Sequence, residues 1–384
     1  MPPKLRLTNT SAAPLTHGVN PRCIQTSGIF KLPAELILEI LAYFGDPHRN
    51  ILYEKSGRYG SLEPKAVERL TVIRRLTMTC WHLRNRLLPV LWKHVEGCNM
   101  YPKHRYHGPH MTSQPAGGLY AQCSYLLLNP TIGVYVETLS VDLYFKYAPK
   151  DLMSKFIDCL VRLPNLRTLE VFSASHLSPI TRGLKRKSAK FPSVRELAIS
   201  NRTAKFIGCC PNVETVSAPD QLSLGGATVL SSYGKRLEKL KRVVGVAEDS
   251  VRLVVQGCPD LQEIGIRACA GIVYGTAEAS AKIVEPLRSL KRLAVVELDY
   301  DTHLFSSDEM DEIGHEVYKD GRDGYIKEWK RLLIPVLKDS HSQERKFLRW
   351  IHSENHWYRD PPNGVTDVVE NGELEVFPTT SLIV

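Results

Sequence analysis

Histidines in two short groups are the side chains of this 384-residue chain most suited to binding a metal. His104, His107 and His110 lie three residues apart in a stretch rich in Gly and Pro, and His352 and His356 would share a face of a helix. In structural zinc sites the ligand residues usually occur in more closely spaced pairs along the sequence. The first group lacks a supporting cysteine or carboxylate, and the second lacks a third ligand. The sequence therefore predicts no metal site.

Cysteine chemistry is also not indicated. The chain has nine cysteines, an odd number without dense spacing, and no Cys-x-x-Cys motif. Cys209 and Cys210 are adjacent in the sequence, and Cys258 and Cys269 lie eleven residues apart. This usage predicts buried thiols in a reducing compartment, the cytosol or the nucleus, rather than a disulfide framework.

No constellation in the sequence indicates catalysis. The glycines at Gly225-Gly226 and at Gly271-x-x-x-Gly275 are not followed by the residues of a phosphate-binding loop. Neither a Gly-x-Ser-x-Gly motif nor a kinase motif is present. We therefore predict a non-catalytic protein without a cofactor.

The positive charge is concentrated in one part of the chain. Residues 182–242 carry thirteen Lys and Arg against four acidic residues, which equals the whole net charge of +9. Residues 353–384 carry six acidic residues against Arg359. The basic zone predicts an acidic or phosphorylated protein partner. Nucleic acid is disfavoured because no aromatic residues alternate with these charges.

Lys185-Arg186-Lys187, within the basic zone, has two interpretations. Such a run could be a nuclear localisation or phosphate-binding patch, or an ordinary solvated loop. The solvated loop is favoured.

Helices are predicted near the N-terminus. After a leader at 1–27, predicted to be disordered, residues 28–97 have helical periodicity, interrupted by a polar insertion at about 46–63. The first helix has an apolar face, formed by Leu36, Ile37, Ile40, Leu41 and Phe44.

A repeat occupies residues 130–298. Each copy has the pattern apolar-x-x-apolar-x-apolar, often after a proline, and the copies recur about every 26 residues, within the ~20–29-residue period of leucine-rich repeats. The anchors are Val136, Leu139 and Val141; Leu166, Leu169 and Val171; Val194, Leu197 and Ile199; Val213 and Val216; Leu240 and Val243; Leu261, Ile264 and Ile266; and Leu290, Leu293 and Val295. The predicted fold class is α/β, an irregular solenoid of parallel strands with return helices.

The remaining segments are assigned from composition. Residues 98–129 are predicted to be a linker or long loop, and 299–352 an acidic loop with a helical cap that includes Phe347, Leu348 and Ile351. Residues 353–384 are predicted to be a flexible acidic tail. With 43% hydrophobic and 24% charged residues, no spanning segment and no signal peptide, the chain is predicted to be cytoplasmic, nuclear or both.

The segment from Leu32 to Val95 resembles the F-box, a helical module that docks onto the Skp adaptor of cullin ubiquitin ligases. The matching residues are Leu32-Pro33-x-Glu35-Leu36, Ile40-Leu41, Leu76-x-x-x-Cys80-x-x-Leu83 and Leu87-x-Pro89-x-Leu91-Trp92-Lys93-x-Val95. With the repeats that follow, the chain is similar to F-box proteins with leucine-rich repeats, especially those of fungi.

This resemblance implies an adaptor-binding surface and a substrate-binding surface. The adaptor-binding residues would be Leu32, Pro33, Leu36, Ile40 and Leu41, with Leu83, Leu87 and Trp92 either alongside them or in the module's own core. Arg74, Arg75, Arg84 and Arg86 would form the rim of this surface. The substrate would lie on strand positions that alternate with the anchors, and the predicted contacts are Glu170, Phe172, Glu196, Ser200, Glu263, Arg267 and Arg292. Ubiquitin transfer would then be catalysed by other subunits.

Two other functions remain open at this stage. The chain could be a leucine-rich-repeat scaffold whose F-box-like segment is only structural. It could also be a basic protein associated with nucleic acid through residues 182–242.

Overall fold

The computed structural model describes most of the region between residues 34 and 378. The described residues are 34–43, 64–97, 114–143, 149, 151–174, 177–268, 277–301, 315–342, 346–353, 365–370 and 373–378. The predicted leader at 1–27, the insertion at 46–63 and the histidines at 104–110 lie outside them.

The architecture is α/β, with one open eleven-stranded sheet whose strand order follows the chain. Strands β1 to β9 are parallel, and the last two are antiparallel. The strands are β1 (His94–Gly97), β2 (Thr138–Leu143), β3 (Thr168–Ala174), β4 (Glu196–Ile199), β5 (Thr215–Leu222), β6 (Arg242–Ala247), β7 (Glu263–Ala268), β8 (Val295–Asp301), β9 (Lys346–Ser353), β10 (Val365–Glu370) and β11 (Glu373–Pro378).

Helices precede the sheet and connect its parallel strands. The α-helices are α1 (Ala34–Ala42), α2 (Pro64–Thr79), α3 (Trp81–Trp92), α4 (Gln114–Leu128), α5 (Pro130–Gly133), α6 (Leu152–Val161), α7 (Leu177–Arg186), α8 (Leu224–Gly234), α9 (Val251–Gly257), α10 (Ala277–Leu287) and α11 (His315–Asp339). A 3-10 helix, Asn201–Cys209, connects β4 to β5, and a 3-10 turn, Glu248–Ser250, precedes α9.

One hydrogen-bond arrangement recurs where the parallel strands begin. The carbonyl of Lys93 accepts the N–H groups of Glu137 and Thr138, at 2.9 and 3.0 Å. The same double acceptance recurs at the carbonyls of Glu137, Arg167, Arg195, Glu214, Lys241 and Gln262. Successive strands therefore begin in a common register, which is what a stack of repeated units requires.

The sheet and its helices share one apolar core. The second anchors of the repeat, which include Leu139, Leu169, Val216 and Ile264, are buried in it. Neighbouring second anchors are also paired in register, for example Leu139 with Leu169. Strand side chains alternate between two faces, so one sheet face contacts the helices and the other faces away. We call the second face the outer sheet face.

The frame of the last repeat differs from the prediction. Val296, not Val295, pairs with Ile264, so the buried anchors are Leu293, Val296 and Leu298. Leu290 is buried in the turn before the strand, where a leucine also fits the local apolar spacing. The prediction took Leu290 as the first anchor instead of Leu293, because the two leucines lie three residues apart and both fit the pattern.

Part of the segment predicted as a linker is helical. Helix α4 buries Ala116, Leu119, Cys123 and Leu126 in the main core. The Gly and Pro content of residues 98–129 suggested a loop, but the spacing of these four residues is helical. The helix forms because tertiary burial outweighs its weak intrinsic propensity.

The C-terminal part contains strands where a helix and a flexible tail were predicted. Helix α11 lies within residues 299–352, predicted as an acidic loop with a helical cap, and it buries Trp329, Leu333 and Leu337. Residues 346–353, however, form β9, which pairs in parallel with β8. Residues 365–370 and 373–378 form a hairpin on β9. The edge of β8 offers backbone hydrogen-bond partners to residues 346–353, and the sequence pattern of that segment does not reveal this pairing.

No helix in the described part of the chain has the length and apolar character needed to cross a bilayer.

Candidate functional site

Helix α1 divides its apolar residues between two faces. Ile37 and Leu41 are 6% and 1% exposed, whereas Leu36 and Ile40 are 43% and 54% exposed. The exposed pair is spaced i, i+4, so its two side chains are neighbours on one side of the helix. Two adjacent apolar side chains left in water are suited to contact a partner.

The buried side of α1 holds the helical unit together. Ile37 and Leu41 pack in a small core with Ile73, Leu83 and Leu87. Cys80 begins α3, because its sulfur accepts the N–H of Leu83 at 3.4 Å.

Only some of the predicted adaptor-binding residues are accessible. Leu41, Leu83 and Leu87 are buried in the unit's own core, a placement that the prediction allowed for Leu83 and Leu87 but not for Leu41. Their apolar spacing is the same for a core and for a docking surface, and only packing separates the two. Leu32 and Pro33 lie outside the described residues.

Trp92 connects the helical unit to the repeats. Its ring stacks on Tyr125 of α4, with centroids 5.3 Å apart and an angle of 11° between the planes. It also packs, partly buried, against the main core. This placement makes Trp92 a packing residue between the two parts, not a free contact surface.

The sequence reasoning missed three exposed apolar residues of the helical unit. They are Tyr43, Met78 and Trp81, exposed by 94%, 81% and 76%. Met78 and Trp81 flank Cys80 at the junction of α2 and α3. Met78 and Trp81 do not fall on the helix faces that Ile73 and Leu83 occupy in the core. A large apolar residue outside the buried face of a helix is the sequence signal that could have identified them.

Four arginines predicted to rim the adaptor site are exposed. They are Arg74 and Arg75 on α2 and Arg84 and Arg86 on α3. Their exposure places positive charge on the surface of α2 and α3.

The first strands of the outer sheet face carry carboxylates in register. Glu96 of β1, Ser140 of β2 and Glu170 of β3 lie side by side, as do Thr168 and Glu196. The hydroxyl of Ser140 donates to Glu170 Oε2 at 2.5 Å, and that of Thr168 donates to Glu196 Oε2 at 3.2 Å. We call Glu96, Glu170 and Glu196 the acidic row.

Burial changes the acidity of Glu96. Desolvation of its carboxylate, with a smaller effect from the charge of Glu170, raises its pKa from 4.5 to about 7. Both effects act in the same direction, so the charged form of Glu96 is held at a cost in free energy.

The later strands of this face carry an internal ion network. Arg242 contacts Glu263 and Glu297, each at 3.3 Å, and Glu297 is only 8% exposed. Arg349 of β9 lies 4.0 Å from the same Glu263 and over the ring of Phe347. The arginines of the chain therefore neutralise carboxylates here.

Two predicted substrate contacts are buried, and a third lies outside its strand. Phe172 is 8% exposed, so the exposed aromatic ring that the prediction required is absent. Ser200 is buried and forms a capping box with Thr203 at the start of the 3-10 helix. Arg292 lies in the turn before β8, because the strand begins at Val295. The prediction extended strict alternation to an irregularly paired part of β3 and to positions outside β4 and β8, where it does not hold.

The other predicted contacts do lie on strands. Glu170, Glu196 and Glu263 are on the outer sheet face. Arg267 of β7 donates through Nη1 to the carbonyl of Pro219, which lies within β5. Whether any of them contacts a substrate remains a prediction.

The basic zone lies mainly away from the outer sheet face. Its exposed residues lie on α7, on the 3-10 helix and in the connections from α7 to β4 and from α8 to β6. They are Arg182, Lys185, Arg186, Lys190, Arg202, Lys205, Lys235, Arg236, Lys239 and Lys241. Lys185 and Arg186 occupy the last turn of α7, where cations stabilise the helix dipole. Lys187 binds Asp158 of α6. Much of the basic zone thus has a structural explanation.

Metal and thiol chemistry gain no new support. Among the described residues, no group of three His, Cys, Asp or Glu side chains is arranged to bind a metal. Cys209, Cys210 and Cys258 are buried free thiols, and burial raises the pKa of all three, for Cys258 to about 12. A raised pKa keeps a thiol protonated and unreactive.

No protein-family model matches this sequence, and no curated protein matches it. The function must therefore be argued from the residues and their placement.

Proposed function

We propose that this protein is the substrate-recognition subunit of a Skp–cullin ubiquitin ligase, with an F-box that docks onto the adaptor and leucine-rich repeats that hold the target. The chain itself would carry no catalytic residue. The ligase complex supplies the ubiquitin-charged enzyme, and tethering raises its effective concentration near a lysine of the target.

The observation that carries the proposal is that α1 has one buried and one exposed pair of apolar side chains. Leu36 and Ile40 belong to the segment that resembles an F-box, and both are exposed beside buried Ile37 and Leu41. Packing of α1 in the core of the helical unit uses Ile37 and Leu41 and leaves the neighbouring Leu36 and Ile40 on the surface. The exposed arginines of α2 and α3 suit the acidic adaptor that the resemblance implies.

The repeat array supports the second half of the proposal. Parallel strands follow one another in chain order, with a helix or 3-10 helix between them and anchors in register. This is the arrangement expected of leucine-rich repeats. An array of this kind offers a long sheet face to a target protein.

The alternatives have less support. A scaffold with a degenerate F-box does not explain the exposed pair on α1. Nucleic-acid binding would use the basic zone, but part of that charge is engaged with helix ends and Asp158.

Co-purification with the Skp adaptor tests the proposal. Wild type should retain the adaptor, and Leu36→Asp with Ile40→Asp should lose it at an unchanged thermal midpoint, because both side chains are already in water. The matched control is Leu128→Asp with Val161→Asp, two apolar residues that are 81% and 54% exposed on α4 and α6. This control should bind like wild type.

Two results would contradict the proposal. If wild type does not retain the adaptor, the helical unit is only structural. If the Leu128/Val161 variant loses the adaptor as fully as the α1 variant does, the docking site is not on α1.

A further inference from the structure

Three helices of the first repeats end close together, at the sheet edge where the parallel strands begin. Arg162, which follows α6, donates through Nη1 to the carbonyl of Leu127 near the end of α4, at 3.4 Å. Asn165, in the turn before β3, donates to the carbonyl of Val134 after α5, at 2.6 Å. The ends of α4, α5 and α6 are therefore neighbours on the surface.

Apolar side chains are exposed at these helix ends. They are Tyr125, Leu128, Val134 and Val161, and we call them the helix-end patch. Tyr125 and Leu128 are spaced i, i+3 on α4, so they share one side of that helix. The ring of Tyr125 is also held in place by its stacking on Trp92. Grouped apolar side chains on a surface are suited to contact a partner.

Positive charge lies beside the helix-end patch. Arg162 and Arg167 are exposed between α6 and β3. Lys185 and Arg186 are exposed in the last turn of α7, which packs against α6. A partner that covers the patch therefore meets up to four basic side chains at its border.

Two acidic side chains of the same region are paired within the chain. Asp158, one turn before Val161 on α6, binds Lys187. Glu137, in the turn before β2, lies 3.5 Å from the ammonium of Lys93. These pairs offset the negative charge of both carboxylates, so they leave the arginines beside the patch to set the sign of the local charge.

The stacking of the repeats extends the basic region that the sequence showed. Residues 182–242 hold the charge excess along the chain, and Arg162 and Arg167 precede them. The carbonyl of Arg167 accepts the N–H groups of Arg195 and Glu196, so the turns before β3 and β4 lie side by side. Positive charge from two successive turns thus borders the patch, which a count along the chain does not show.

We infer that the helix-end patch binds a segment of the target protein in which apolar side chains alternate with Asp or Glu. This inference rests on the proposed function, because it takes the partner to be the target that the repeats hold. Apolar side chains of the segment cover the patch, and its carboxylates pair with the bordering arginines. A basic segment would meet like charge there, and a purely polar acidic segment would leave the patch in water.

Three fluorescent peptides of equal length provide the test with the full chain. The first alternates leucine and glutamate, the second leucine and lysine, and the third serine and glutamate. Fluorescence anisotropy should show tightest binding of the leucine–glutamate peptide. The net charge of +9 attracts both acidic peptides alike, so the difference between those two measures the apolar contacts.

Matched variants test the apolar contacts. Leu128→Ser with Val161→Ser should weaken binding of the leucine–glutamate peptide by about tenfold, since burial of one such side chain contributes roughly that factor. The control is Met78→Ser with Leu224→Ser, two apolar residues exposed by the same 81% and 54% on α2 and α8. This control should bind like wild type. Thermal unfolding checks that all variants are folded.

A second pair of variants tests the charges. Arg162→Gln with Arg167→Gln should weaken binding of the leucine–glutamate peptide by about threefold at low salt, with a smaller effect at high salt. The control, Arg252→Gln with Lys327→Gln, removes the same charge at exposed positions on α9 and α11. It should leave binding of this peptide unchanged.

Four results would overturn the inference. They are no binding of the leucine–glutamate peptide, equal or tighter binding of either other peptide, equal losses in the Leu128/Val161 variant and its control, and dimers of wild type that the Leu128/Val161 variant does not form. Light scattering detects such dimers, which would mean that a second copy of the chain covers the patch.

Adaptor co-purification separates failure of this inference from failure of the proposed function. The Leu128/Val161 variant should keep the adaptor and lose the peptide, whereas the Leu36/Ile40 variant should lose the adaptor and keep the peptide. A wild type that keeps the adaptor without binding the peptide contradicts only this inference. A wild type that binds the peptide without keeping the adaptor contradicts only the proposed function.

Discussion

At the scale of single residues, Glu96 links the sheet to the pH dependence of stability. Its pKa is about 7 in the folded chain, above the ordinary value of 4.5. A carboxyl whose pKa is raised on folding favours the folded state while it is protonated. That stabilisation is complete below about pH 4.5 and is lost as the pH rises to about 7.

Replacing Glu96 with glutamine should therefore stabilise the protein at high pH. We expect Glu96→Gln to increase the free energy of unfolding by about 1–3 kcal/mol at pH 8, with little difference near pH 4.5. Urea denaturation at the two pH values measures this. Exposed Glu285→Gln is the control and should change stability by less than about 0.5 kcal/mol. An equal gain at both pH values would show that the effect is not ionisation.

Individual contact residues were predicted with uneven success. Glu170 and Glu196 are on the outer sheet face because strict alternation holds where β3 and β4 are regularly paired. Phe172 is buried in the part of β3 where the pairing with β2 changes register, and Ser200 is buried just past the end of β4.

At the scale of elements, the contact of β5 with β6 depends on one glycine. Gly245 has a φ of +80°, and a Cβ placed on it would lie 2.2 Å from the carbonyl oxygen of Ala218. The pairing of the two strands changes register at this point. Only glycine allows both the left-handed backbone and the close approach.

Gly245→Ala should accordingly destabilise the protein by about 2–4 kcal/mol, since it combines backbone strain with a steric clash. Gly225→Ala is the matched control, because its Cβ would have no neighbour within 4 Å. In helix α8 this control should be neutral or stabilising by up to about 1 kcal/mol. Thermal unfolding compares the two. A small effect at Gly245 would mean that β5 and β6 separate easily.

Helix α1 shows the limit of pattern reasoning for a single element. Its apolar spacing predicted one wide face formed by Leu36, Ile37, Ile40 and Leu41. The structure divides that face, because α2 and α3 cover only Ile37 and Leu41. Which half is covered depends on where the neighbouring helices lie.

At the scale of the whole molecule, β9 covers the edge of β8, the last strand of the predicted repeats. Its residues 347–353 pair with β8, Leu348 is fully buried, and Arg349 lies beside Glu263 of β7. The exposed edge of a long strand tends to pair with another molecule.

Shortening the chain should reveal this protection. A variant ending after residue 342 loses β9, so we expect a lower thermal midpoint and self-association, measured by light scattering. A variant ending after residue 353 keeps β9 and should have a midpoint closer to wild type. If both variants have the same midpoint and remain monomeric, β9 does not contribute to the stability of the array.

The sequence by itself determined the α/β class, the anchors of most repeats and the helical N-terminal unit. These features follow from local periodicity, which places apolar residues on one side of a strand or helix. The tertiary structure alone decided that residues 114–128 are helical, that 346–353 form a strand and that Leu36 stays exposed beside buried Leu41. Each of these depends on which other element lies nearby. Pairing and packing join residues far apart in the chain, and a local pattern carries no record of such neighbours.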